Sequence, residues 1–295
     1  MSDILIMTDS ASDISIDMEK KLNSVRVINI PLTVNGKGYY ERIDFTNDEF
    51  YKILNECTEL PTTAHITAPV FLDEFQKVYE EGYKALVYVS INKNGSATYD
   101  ASVKAKEMFF EENPEAQGKF EIHLIPSGTF SMGYGRTVLK ADEYLQKNSP
   151  SVSELVEYMT KQIYTTDTIF AVQTLKFAKK SGRLSATAAF VGEMMGIKPI
   201  LTFREGKSII RDKIRGDKHI IPAICKYYMD NVGEEKDYII ITGENVEMAD
   251  ELEEYIFEKT GQKASGKYKE GACISINAGP KVIGMAFSNK NKTVL

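Results

Sequence analysis

Residues 85–125 read ALVYVSINKNGSATYDASVKAKEMFFEENPEAQGKFEIHLI. The run at 85–91 is apolar, rich in Val and Ile and too short for a helix, as expected of a buried strand. Asn94-Gly95-Ser96-Ala97-Thr98 interrupts it. From Ser96 a helical pattern carries Ala97, Ala101, Ala105, Met108 and Phe109 on one stripe and stops at Asn113-Pro114. A second apolar run follows at 120–125. Strand, helix and strand in that order make the unit of a parallel sheet covered by helices.

The flanking sequence repeats the pattern. Runs at 4–7 and 25–30 are candidate strands, and helical patterns lie at 48–57, opening at Asn47, and at about 131–147. Asn148-Ser149-Pro150 marks a boundary, after which Ser151-x-x-Glu154 forms a capping box ahead of Leu155, Val156, Met159 and Ile163 on one face. Candidate strands then fall at 169–174, 200–203, 238–241, 272–277 and 282–287, and helices at 218–233 and 245–261. The last two strands are separated by Ala278-Gly279-Pro280-Lys281, a hairpin-sized turn. A close antiparallel pair does not arise from a strand–helix–strand crossover. The expected class is therefore α/β: a parallel-sheet domain over residues 1–150 followed by an α+β domain over 151–295.

The length of 295 residues suits about two domains at roughly 100–200 residues each. A hydrophobic fraction of 43% with 26% charged residues is that of a folded globular chain. With 36 Lys+Arg against 42 Asp+Glu, the net charge of -6 argues against a general nucleic-acid binder and against a polybasic membrane anchor. Cys57, Cys225 and Cys273 lie far apart without a C-x-x-C pair, as expected of reduced thiols in the cytoplasm. No apolar run reaches the ~18 residues of a membrane span, and the start MSDILIMTDS is no secretory signal.

Catalytic templates find little material. His65, His123 and His219 include no pair at helical spacing, so a His/Cys metal site is not expected, and no cofactor is implied. Gly128-Thr129-Phe130-Ser131-Met132-Gly133 carries one residue too many for a nucleophile elbow, and Gly133-Tyr134-Gly135 lacks the third glycine of a dinucleotide fingerprint. What recurs is hydroxyl chemistry after strands: Thr8-Asp9-Ser10-Ala11-Ser12-Asp13, Asn94-Gly95-Ser96-Ala97-Thr98 and Pro126-Ser127-Gly128-Thr129. Loops at the carboxyl ends of parallel strands converge, and helix N-termini there suit an anion, although the same residues are ordinary N-caps.

Taken in order, these segments resemble the DegV family of bacterial fatty-acid-binding proteins. Thr8-Asp9-Ser10 resembles the family's opening TDS. Leu60-Pro61-Thr62-Thr63, with Phe71 beyond it, resembles its proline–threonine–serine segment, and Ser96-Ala97-Thr98-Tyr99 its Ser-Gly-Thr-Tyr. Ser127 followed by Ser131-Met132-Gly133-Tyr134-Gly135 is similar to a serine followed by S-M-G-x-G. Most specific is Leu175-x5-Ser181-Gly182-Arg183-Leu184-Ser185, continuing to Gly196-Ile197-Lys198-Pro199-Ile200-Leu201.

The resemblance implies a Rossmann-like N-terminal domain, an α/β C-terminal domain and one long-chain fatty acid held between them for a separate fatty-acid kinase. It implies carboxylate binding by Thr63 and Ser96, with Asn277 where the family commonly has a histidine. Thr62, Ser127, Gly128, Arg183 and Lys281 are further candidates for the site. Ala189, Met194 and Met195 either line an apolar tunnel or belong to the core. An acyl chain of about 16 carbons gains on the order of 10 kcal/mol from burial before ordering costs. The C-terminal string is Asn277-Ala278-Gly279-Pro280-Lys281 where the family has His-Thr-Gly-Pro-Gly, Pro126 replaces the usual Asp, and Ala64 the usual Ser. Lys281 either supplies charge or points into solvent. Arg204, Arg211 and Arg215 form a basic stretch expected to be a solvated loop, with a phosphate or partner contact as the other reading. The partners implied are a fatty acid and its kinase, with transient membrane contact but no insertion. The alternatives are a phosphotransferase or hydrolase using Ser96, Ser127 or His123, and a lipid-responsive regulatory protein.

Overall fold

The computed structural model of the chain describes residues 3–184, 196–234 and 236–292. The chain runs β1 (Ile4–Asp9), α1 (Ile16–Glu19), β2 (Val25–Ile28), β3 (Pro31–Val34), β4 (Lys37–Tyr40), α2 (Asn47–Glu56) and β5 (Thr62–Thr63). It continues through α3 (Ala68–Glu80), β6 (Ala85–Ser90), α4 (Thr98–Glu112), β7 (Glu121–Pro126), α5 (Met132–Asn148) and α6 (Val152–Thr165). Then come β8 (Thr166–Val172), α7 (Lys176–Ser181), β9 (Ile197–Arg204), β10 (Lys207–Arg215) and α8 (Ile220–Asn231). The last elements are β11 (Tyr238–Thr242), α9 (Val246–Thr260), β12 (Gly266–Lys269), α10 (Ala272–Ala278) and β13 (Val282–Ser288).

Among the described residues the first sheet has the order β2-β1-β6-β7 and is parallel throughout. Its central strands β1 and β6 are buried at every residue, which is why they read as unbroken apolar runs. The second sheet, β10-β9-β8-β13-β11-β12, is mixed: its pairs are antiparallel except β11 with β12. The α/β class expected from the sequence is the one observed. A small antiparallel sheet, β4-β3-β5, lies outside that expectation.

Caps explain where the helices start. Thr46 with Glu49, and Ser151 with Glu154, form reciprocal capping boxes on α2 and α6. Ser149 ends α5 in a left-handed conformation, and the Tyr144 and Tyr158 rings stack at 4.1 Å between α5 and α6. Helix α5 also locks the two sheets together. A Cβ on Gly135 would land on the Ser12 carbonyl, so only glycine lets the helix approach the loop after β1. Beside it, the Tyr134 hydroxyl donates to Asp9 at 2.6 Å. The TDS and S-M-G-x-G segments are thus partners in packing. No helix among the described residues is long and apolar enough to cross a membrane.

Residues 272–277, expected as a strand hairpinned to 282–287, form α10 instead. The run from Ala272 to Ile276 is buried throughout, so no polar side reveals its period, and a short apolar run does not tell a strand from a buried helix. Two i→i−4 bonds secure the helix: Ser275 Oγ donates to the Gly271 carbonyl at 2.8 Å, and Asn277 Nδ2 to the Cys273 carbonyl at 2.6 Å. The sheet is mixed for another reason, because β13 inserts antiparallel between β8 and β11.

Two further expectations change. The basic stretch containing Arg211 and Arg215 is the edge strand β10 and not a loop, turned back on β9 through Glu205 and Gly206, both at positive φ. Helix α4 begins at Thr98, and its buried stripe is Thr98, Ser102, Ala105 and Phe109, leaving Ala97 exposed and Ala101 half-buried.

Candidate functional site

The loops after β6 and β7, strands β8 and β9 and helix α10 surround a cavity of about 530 Å³, within the usual range for small-molecule pockets. Local bonds position its polar rim. The Ile66 N–H donates to Thr98 Oγ1 at 3.3 Å, and Thr98 Oγ1 lies 2.9 Å from Ser96 Oγ. This ties the Pro61-to-Ile66 segment to the loop after β6. Thr63 pairs with Leu32 at the sheet edge, so its side chain and that of Thr62 point to opposite faces. Thr63, Ser96, Arg183 and Asn277 all line the cavity. Arg183 Nη1 is also held by the Ser181 carbonyl at 2.8 Å.

Other expected residues lie elsewhere. Thr62 is exposed. The Ser127 hydroxyl closes its own turn, donating to the Thr129 carbonyl at 3.0 Å and accepting the Thr129 N–H at 3.2 Å. Gly128, at φ +63, faces the backbone of the β9–β10 turn. Lys281 points outward, 53% exposed and 3.6 Å from Glu244. Of its two readings, solvent is the one observed. His123 lies within β7 with Nε2 2.7 Å from the Glu121 carboxylate, a partner other than the hydroxyl that the hydrolase alternative requires. Ala189, Met194 and Met195 lie outside the described residues.

The apolar wall escaped the sequence reading. Phe130, Phe170 and Phe203 line the cavity with ring centroids 5.2 Å apart for Phe130–Phe203 and 5.3 Å for Phe170–Phe203. These residues come from a loop, β8 and β9, and no local pattern joins them. Cys273, Ile274 and Glu270 were concealed by the strand assignment, although a charged residue directly ahead of an apolar run was a signal.

Behind the cavity, buried carboxyls knit α10 to the first sheet. Asp13 accepts the Gly271 N–H at 2.7 Å and the Ser131 hydroxyl. Glu41 accepts the Cys273 N–H at 2.7 Å and the Ser10 hydroxyl. Burial, with the Asp13 carboxylate beyond it, holds Glu270 well above the usual carboxylate range. Burial and the nearby Glu41, Asp9 and Asp13 push the Cys273 thiol well up, so it is a poor nucleophile at neutral pH.

The sequence pattern of the DegV family, described as uncharacterised, matches residues 3–290. A DegV domain-containing protein of Caldanaerobacter subterraneus is 32% identical over 298 residues, spanning 98% of this chain and 100% of that one. One from Clostridium acetobutylicum is 28% identical over 291 residues, with 98% and 100% covered. The solved structure of a fatty-acid-binding DegV family protein from Thermus thermophilus superposes with a TM-score of 0.84 at 23% identity, covering 98% of this chain and 100% of that one. A stearic-acid-binding protein from Eubacterium ventriosum gives 0.85 at 20% identity, covering 98% and 99%. At such identities the likeness establishes the fold. With the family pattern spanning residues 3–290 and a relative alike over its whole length, the chain belongs to the DegV family.

Proposed function

We propose that this chain binds one long-chain fatty acid, its carboxylate held by Thr63, Ser96 and Asn277 and its acyl chain against the aromatic wall, and presents it to a fatty-acid kinase. The observation that carries this is the cavity itself, where residues distant in sequence meet as a polar rim on an apolar wall. Hydroxyl and amide donors hold a carboxylate without a buried counter-charge, which suits a ligand that must be handed on. Fatty-acid binding by structural neighbours supports the same reading.

Native mass spectrometry and lipid extraction of protein made in bacteria test the ligand. A bound mass released as a free fatty acid is expected, and an empty protein that also fails to take up added fatty acid would refute binding. Incubation of the loaded protein with a fatty-acid kinase and ATP tests presentation, read as acyl phosphate formed.

A further inference from the structure

Asn92, in the loop after β6, is 1% exposed, and each polar atom of its main chain and side chain has a partner. Its N–H donates to the Thr129 carbonyl at 3.1 Å, next to Phe130 in the loop after β7. Its Nδ2 donates to the Gly206 carbonyl at 2.6 Å, across 114 residues of sequence, in the turn that follows Phe203 and β9. Its Oδ1 accepts the Asn94 N–H at 3.1 Å, and its carbonyl accepts the Gly95 N–H at 3.0 Å.

The last two bonds close a turn over residues 92–95, and Ser96 is the next residue. The turn has little room to shift. A Cβ on Gly95 would lie 2.7 Å from Cζ of Phe130, and Asn94 Nδ2 donates to the Glu205 carbonyl at 3.2 Å. Asn94, Gly95 and Ser96 line the cavity, and Asn92 bears on it through them. One buried side chain thus shapes the turn that carries the Ser96 hydroxyl and ties it to the segments that carry Phe130 and Phe203. A polar group held in place before the ligand arrives loses less freedom on binding than one on a loose loop.

We infer that Asn92 is a positioning residue of the carboxylate site, holding the Ser96 hydroxyl in register with the aromatic wall without touching the ligand. This rests on the fatty-acid reading above and deepens it. The role needs an amide, because the site asks for an acceptor toward Asn94 and a donor toward Gly206. Aspartate, of the same size, sets a carboxylate oxygen against the Gly206 carbonyl.

The test is calorimetric titration of the delipidated full chain with palmitic acid across a double-mutant cycle of Asn92→Ala and Ser96→Ala. Asn92→Ala should weaken binding about tenfold when Ser96 is present and much less beside Ser96→Ala, where the hydroxyl it positions is gone. The two losses should differ at least about threefold, a coupling that a merely structural role would not produce. A smaller difference, or unchanged binding in Asn92→Ala, overturns the inference and leaves Asn92 to the fold alone. Asn92→Asp runs the same cycle with the same expectation should the alanine variant fail to fold. Wild type that takes up no palmitic acid refutes the fatty-acid reading itself, and Ser96→Ala binding as tightly as wild type removes Ser96 from the site; the inference falls with either.

Discussion

Glu41 accepts the backbone N–H of Cys273 at 2.7 Å, across 232 residues of sequence. Its other carboxyl oxygen takes the Ser10 hydroxyl, so one buried side chain joins the end of β4, the loop after β1 and the first turn of α10. Asn277 lies on the same helix, and the rim of the cavity therefore depends on a contact made behind it.

Glu41→Ala should leave the Cys273 N–H and the Ser10 O–H without an acceptor, although Ser10 Oγ still accepts the Ile30 N–H at 2.9 Å, and lower the unfolding free energy by about 2–4 kcal/mol. Urea denaturation measures this. A loss below about 0.5 kcal/mol would show that α10 does not depend on Glu41.

Asp13, Glu41 and Glu270 are all raised, with burial the leading cause. Native protein then holds protons that the unfolded chain releases. Their stabilising contribution is complete below the ordinary values of 3.8 for Asp and 4.5 for Glu, and it is lost as pH climbs through the raised native values. Asp167 and Asp237 are lowered and lose their contribution only below 3.8, outside this window. Stability should fall as pH rises above the ordinary carboxylate range, and Glu270→Gln should flatten the slope. A wild-type profile that is level or rising above that range contradicts this.

Thr63→Val and Ser96→Ala should each weaken fatty-acid binding about tenfold, while the unfolding midpoint moves little because both side chains are only half-buried. Occupancy by native mass spectrometry reads the effect, and unchanged occupancy in either variant removes that residue from the carboxylate site.

Asn277→His should tighten binding several-fold below about pH 6.5, where the imidazole becomes cationic, and by much less at about pH 8. Equal affinities for wild type and variant at both pH values would place the carboxylate away from position 277.

Gly206 sits at φ +74 in the β9–β10 turn, its carbonyl accepting from Asn92 Nδ2 at 2.6 Å, and a Cβ there would land on the Asn94 and Asn92 side chains. Gly206→Ala should cost about 1–3 kcal/mol of stability and loosen the Phe203 wall of the cavity. Unaltered denaturation and ligand occupancy would mean that the turn tolerates a side chain.

The sequence by itself determined the elements whose signal is local. Strands β1 and β6 announced themselves as short apolar runs, α6 by its capping box, and α5 by its periodicity. Ser96 was legible as a hydroxyl following a strand and Thr63 through its resemblance to the family's proline–threonine–serine segment, and the ordered motifs carried the family. The tertiary structure decided what depends on contacts far apart in the chain. Residues 272–278 are a helix because Asp13 and Glu41 take its first amides and its polar side chains bond one turn back. The aromatic wall exists because Phe130, Phe170 and Phe203 arrive from separate elements. Periodicity records which side of an element is buried. It carries no record of which distant groups meet there, and in this protein those meetings make the site.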